Sequence, residues 1–177
     1  MKIKTFLDGA NLEEILQHKD FDQISGFTTN PSLMRKAGVK DYMEFAHNLA
    51  KKIPSKKHVS VEVIADDLEE MQRQAIIISS VSENVFAGRI ADTGVNPASI
   101  MANCKGMLRL NPVSELLWAS CRETYSIYQA DSLGCDIITA PSGILKKLSL
   151  KNKDLEKYSL ETVQGFYSDA QAANYVL

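Results

Sequence analysis

The sequence predicts an α/β fold of parallel strands joined by helices, and two observations carry that reading. Short runs rich in β-branched and aromatic residues alternate with helix-period stretches along the whole chain. The helical stretches also open at side chains suited to capping, followed in two cases by proline. With 177 residues and 45% hydrophobic content, the chain is long enough to bury one sizeable core. No linker, low-complexity stretch or internal repeat divides it beyond that alternation. A single domain over residues 1–177 is the expectation.

The first strand is expected near Ile3 to Leu7, after which Asn11 with Glu14 three residues on resembles a capping box. The second runs near Ile24 to Thr28 and leads into Asn30-Pro31. There the asparagine can accept from the orphan N–H groups of a helix, and proline loses nothing by lacking one. A third strand, His58 to Ile64, alternates Val59, Val61 and Val63 on one face with Ser60 and Glu62 on the other. Strands near Val85 to Ile90, Leu116 to Ala119 and Asp136 to Thr139 bring the number to six, with Asn96-Pro97 opening a helix among them. Ser159, followed by Leu160-Glu161, is expected to open a last helix through about Ala173.

Composition narrows the function. Twenty Lys plus Arg against 22 Asp plus Glu give a net charge of -2. The basic clusters, Lys51-Lys52 through Lys56-Lys57 and Lys146-Lys147 through Lys153, are short and read as solvated faces rather than a nucleic-acid surface. Cys104, Cys121 and Cys135 are odd in number and widely spaced, which fits neither a disulfide framework nor a zinc site and points to a reducing, cytoplasmic setting. The N-terminus lacks a signal-peptide apolar core, and no run approaches the ~18 apolar residues of a membrane span.

Three stretches carry a family resemblance: Phe6-Leu7-Asp8-Gly9-Ala10, then Ile24-Ser25-Gly26-Phe27-Thr28-Thr29-Asn30-Pro31-Ser32-Leu33-Met34, then Val59-Ser60-Val61-Glu62-Val63. Together they resemble the transaldolase family, in its short form similar to fructose-6-phosphate aldolase, from Lys2 to Leu177. The strand pattern alone fits an open doubly wound sheet as well as a barrel, although no glycine-rich phosphate loop follows the first strand. The resemblance implies the (β/α)8 TIM barrel, which needs eight strand–helix units and at least about 200 residues. This chain therefore reads as an incomplete barrel of six βα units, with the family's fourth and fifth strands missing between Val85 and Phe86. Glu83-Asn84-Val85 looks like the entry to the fourth strand and Phe86-Ala87-Gly88-Arg89 like the middle of the sixth. An internal deletion, a mis-joined gene assembly and a spliced product all give such a junction.

Asp8 ends its strand before Gly9, a position that suits a turn and, in a barrel, also suits the catalytic rim. The resemblance implies the second role, a general acid and base that moves the proton of a substrate hydroxyl. Asn30 is explained as a helix cap, and the matching Asn in the family also bonds the donor sugar. Glu62 would point into a barrel, where a carboxylate needs a partner or water. The resemblance makes it the residue that holds the catalytic water. With Phe86, it is more similar to the transferases than to the related aldolases, which carry Gln and Tyr. Arg89, Ser120 and Arg122 match the family's phosphate-binding positions, and two guanidiniums with a hydroxyl suit a phosphate dianion. A lone Arg at a strand end is ordinarily a surface ion pair. Asn84 departs from the Ser that the family often carries.

The family forms an imine on a lysine in a strand reading roughly Val-Lys-Ile-Pro, and the matching strand is missing here, as is one supplying an active-site Thr. Lys4 starts its strand and belongs at the opposite end of a barrel from Asp8. Lys36, Lys51, Lys52, Lys105, Lys146 and Lys147 fall on helices or loops. The resemblance thus implies transfer of a dihydroxyacetone unit between sugar phosphates in the pentose phosphate pathway, without metal or organic cofactor. In this chain the activity is expected to be lost or weak. The alternatives are a non-catalytic phosphosugar-binding protein and a partner of a full-length homologue, since the short family members form homo-oligomers.

Overall fold

The computed structural model describes residues 1–62, 64, 67, 69–70, 83–108 and 114–175. They fall into two compact units, Met1–Leu145 and Lys146–Leu177. In the first, the order is β1 (Lys4–Asp8), α1 (Leu12–His18), β2 (Gly26–Thr29), α2 (Pro31–Lys36), α3 (Tyr42–Lys52) and β3 (His58–Val61). It continues with β4 (Glu83–Val85), α4 (Ala87–Asp92), α5 (Ala98–Leu108), β5 (Leu116–Trp118), α6 (Thr124–Ser132), β6 (Ile137–Ala140) and α7 (Ser142–Lys146). Of residues 63–82, only Ile64, Asp67, Glu69 and Glu70 are among the described residues.

The six strands pair in parallel in the order β3-β2-β1-β6-β5-β4. That order separates the two architectures left open by the strand pattern. In a doubly wound sheet the two halves step in opposite directions from a switch point. Here β1 to β2 to β3 and β4 to β5 to β6 step the same way, and β6 lies against β1. Among the described residues this is the cyclic order of a TIM-like barrel, open between β3 and β4, and the α/β fold is consistent with an incomplete barrel.

Alternation along the strands builds two layers. Leu7 and Phe27 face outward and join Ile15, Ile24, Leu49 and Ile53 beneath the helices. Phe6, Leu117, Ala119 and Ile137 form a second buried cluster on the other face. Burying an aromatic such as Phe6 contributes about 2 to 3 kcal/mol. Its ring fits because residue 26 is glycine: a Cβ there would lie 2.7 Å from the ring and 2.8 Å from the His58 carbonyl oxygen.

Asn11 Oδ1 accepts from Glu14 N at 3.1 Å, as its spacing predicts, although the Glu14 carboxylate accepts from Ser142 instead of completing the box. Asn30 Oδ1 accepts from Leu33 N at 3.0 Å. Asn96 Oδ1 accepts from Ala98 N at 3.0 Å, and α5 starts at Ala98, one residue past the proline. Phe86-Ala87-Gly88-Arg89 does not lie within a strand. β4 stops at Val85, and the amides of Arg89 and Ile90 turn back to Phe86 O at 2.9 and 3.2 Å to open α4. The turn forms there because Gly88 packs directly on the Ser120 backbone.

The second unit contains a 3-10 turn at Lys147–Leu150 and one long helix, α8 (Leu155–Ala172). α8 starts earlier than Ser159, because Asp154 Oδ1 caps Lys157 N at 2.8 Å. Among the described residues, no helix is long and apolar enough to cross a membrane.

Candidate active site

The candidate residues gather where the strands end. Asp8 closes β1 opposite Thr28 of β2. Thr28 Oγ1 donates to Asp8 Oδ1 at 2.8 Å and lies 2.5 Å from Thr139 Oγ1 on β6. Burial pushes the Asp8 carboxyl above the usual carboxylate range, and the Thr28 hydrogen bond offsets part of that rise. Asp8 is thus a partly desolvated carboxyl already supplied with a donor, which suits a group that takes and returns a proton.

Glu62 follows directly on β3, and the Tyr42 hydroxyl donates to its backbone carbonyl. Its carboxyl is also pushed up by burial, pulled back by the Arg89 guanidinium and pushed up again by Asp8. The influence of Arg89 has a geometric meaning. β3 and β4 are the two edges of the described sheet, and in a flat sheet five interstrand steps would put them ~24 Å apart. Over that distance, aqueous screening would leave almost no interaction. A curled sheet, which brings its two edges toward each other, accounts for the influence of Arg89 and Asp8 on Glu62.

Arg89 stands on α4 and not at a strand end, with its guanidinium 4.6 Å from the Phe86 ring centroid. Ser120 adopts φ 60 just beyond β5. Gly88 N donates to Ala119 O at 3.2 Å, so the residue preceding Arg89 rests on the segment carrying Ser120. Arg122 donates through Nη2 and Nε to Asp92 Oδ2 at 2.6 and 3.1 Å. Asp92 ends the helix that carries Arg89. The ordinary ion-pair reading thus holds for Arg122, but its partner brings it to α4. A phosphate dianion there would compete with an exposed carboxylate, and exposed pairs are weak, about 0 to 1 kcal/mol.

Asn30 spends its side-chain oxygen on the cap of α2. The side chain of Asn84 lies outside the described residues. Lys4 sits at the far end of β1, paired with Glu115 at 2.6 Å, and Lys105 is paired with Asp136 at 2.5 Å. A pocket at that far end, lined by Lys4, Asp22, Ser25, Lys57 and His58, contains none of the candidate residues. Cys121 and Cys135 are buried thiols, each pushed up to about 11 by burial, and therefore poor nucleophiles. Sequence reasoning missed Thr28 and Thr139 as site residues. Thr28 lay in the quoted motif and shares strand-end position with Asp8, whereas Thr139 becomes visible only from the β1–β6 register.

Residues 5–86 match the family model for Transaldolase/Fructose-6-phosphate aldolase. A probable transaldolase of Brucella anthropi is 26% identical over 208 residues, covering 88% of this chain and 94% of that protein. One from Bartonella tribocorum is 25% identical over 195 residues, covering 82% of this chain and 88% of its own. Another, from Chelativorans sp., is 26% identical over 208 residues, with coverage of 88% and 94%.

Proposed function

Since this chain belongs to the transaldolase family, we propose that it is a sugar-phosphate protein of the pentose phosphate pathway that keeps the family's binding groups but not its imine lysine. The observation that carries this reading is the strand order, which is cyclic except between β3 and β4. The length of the relatives supports it. The Brucella anthropi alignment runs over 208 positions, whereas 88% of 177 residues is about 156. About 50 positions of that relative therefore face no residue here, on the order of two strand–helix units. We place the two lost units at the Val85–Phe86 junction, so that β4, read as the entry to the family's fourth strand, stands in the sixth strand's place beside β5 and leaves the gap in the sheet on its β3 side, in a single domain over residues 1–177 built of six βα units.

In this reading Asp8 is the acid–base group and Glu62 holds a water across the mouth from it, with Asn30 at the donor sugar. Arg89, Ser120 and Arg122 take the phosphate. The arginines supply charge-assisted bonds and the Ser120 hydroxyl a further donor. Carbon–carbon cleavage through an imine needs a lysine nitrogen as electron sink, and the other side chains of this mouth provide none. Transfer of a dihydroxyacetone unit is consequently lost or weak. The protein is placed in the cytoplasm, with homo-oligomers expected of an intact barrel. The adjacency of Gly88 to the Ser120 segment also favours the non-catalytic phosphosugar-binding reading, because it keeps the phosphate groups together without the lysine.

Incubation with fructose 6-phosphate and borohydride should leave the intact mass unchanged. A stable adduct on any lysine of this chain would refute the proposal.

A further inference from the structure

Asp8, Thr28 and Thr139 come from three adjacent strands, β1 lying between β2 and β6. Thr28 is paired with Asp8, and Thr139 with Phe6 two residues earlier on the same face. A hydroxyl has one proton to donate and two lone pairs with which to accept. Thr28 donates to Asp8 at 2.8 Å, so its proton is spent. The 2.5 Å contact between Thr28 and Thr139 then requires Thr139 to be the donor. With the carboxylate ionised, the direction is Thr139 to Thr28 to Asp8.

Protonation of Asp8 reverses the requirement. A neutral carboxyl carries a proton of its own, and the oxygen facing Thr28 can become the donor. Thr28 then accepts from Asp8 and turns its hydroxyl toward Thr139, which accepts in turn. One proton enters at Asp8 and no bond within either threonine breaks; the two hydroxyls rotate. Thr139 is only 5% exposed, so solvent cannot readily stand in for it. Among the described residues, Glu62 beyond β3 is the charged group coupled to Asp8, and Arg89 on α4 is coupled in turn to Glu62.

We propose that Thr28 and Thr139 form a reversible hydroxyl relay that keeps Asp8 hydrogen-bonded in both protonation states, with Thr139 as the positioning residue at its far end. The proposal rests on the acid–base reading of Asp8 and adds what that role demands, since a group that alternates between acid and base must be satisfied in both forms.

The test is a pH titration of the carbon-13-labelled full chain by NMR, following the Asp8 carboxyl carbon and the Thr139 Cβ. In the native chain both resonances should move with one shared midpoint. Thr28→Val should abolish the Thr139 movement while Asp8 still titrates, and Thr28→Ser should preserve it. Asp8→Asn, which keeps the side-chain shape, should make Thr139 independent of pH even if Thr28→Val folds poorly. A native Thr139 that does not follow Asp8, or one that still titrates in Asp8→Asn or in folded Thr28→Val, overturns the relay. Sugar-phosphate binding measured on the same samples tests the functional reading separately, so one can fail without the other.

Discussion

Replacing Gly88 by alanine should destabilise the first unit by about 1 to 3 kcal/mol, although alanine is the better helix former. Gly88 lies within α4 and is buried. An added Cβ would sit 1.7 Å from the Ser120 carbonyl oxygen and 2.7 Å from its carbonyl carbon. Carbon and oxygen approach comfortably at ~3.3 Å, so the two segments would have to separate by roughly 1.6 Å. The obstruction is backbone, which cannot rotate away as a side chain would. Overpacking of this kind costs about 1 to 3 kcal/mol, and losing the Gly88 N to Ala119 O bond adds about 1 kcal/mol. Helix propensity returns about 1 kcal/mol. Urea unfolding of the two proteins measures the net difference. Gly143→Ala is the control, because nothing lies within 4 Å of its added Cβ. A Gly88→Ala protein as stable as its parent would refute the close approach on which the placement of Arg89 beside Ser120 depends.

Two further predictions concern charge. The folded state raises the Asp8 carboxyl by burial, so it binds that proton more tightly than the unfolded chain does. Asp8 therefore favours the fold below the ordinary carboxylate range, and that contribution is lost as pH rises through the folded midpoint. Asp8→Asn should accordingly be more stable than the parent at neutral pH, with the advantage vanishing in acid; urea midpoints at the two pH values decide it. Arg122→Ala should change stability by less than about 1 kcal/mol, because its pair with Asp92 is exposed. It should nevertheless remove any preference for sugar phosphates over free sugars in calorimetry, and an unchanged preference would exclude Arg122 from the phosphate site.

Local chemistry made much of this legible. Asn11, Asn30 and Asn96 accept from amides two or three residues ahead, and such bonds are encoded in spacing alone. Asp8 ends its strand for an equally local reason, the glycine that follows. The errors arise where a choice depends on distant chain. Asp154 and Ser159 both qualify as caps, and Asp154 takes the role through Lys157. Phe86 to Arg89 reads as strand by composition, but its course is set by Gly88 against Ser120, 32 residues away. Thr139 reaches Thr28 across 111 residues of sequence, and no periodicity within either strand announces that contact.

In the proposed reading, the division of the candidate site between the two halves of the sheet accounts for how chemistry could be lost while architecture is kept. Asp8, Asn30 and Glu62 come from β1, β2 and the end of β3, whereas Arg89, Ser120 and Arg122 follow β4 and β5. The halves meet at the β1–β6 pairing, where Thr28, Asp8 and Thr139 form the hydroxyl network. That seam lies on the side away from the interruption between β3 and β4, so removing units there leaves the network and each half's own pairings in place. What such a loss alters is the separation of Glu62 from Arg89, because those two groups flank the interruption. On the proposed reading, curling that lets one charge act on the other partly closes the gap that two further strands would have filled. Binding groups supplied by both halves survive this closure on that same reading, whereas a nucleophile that the family carries on the two units proposed to be lost is not replaced by it.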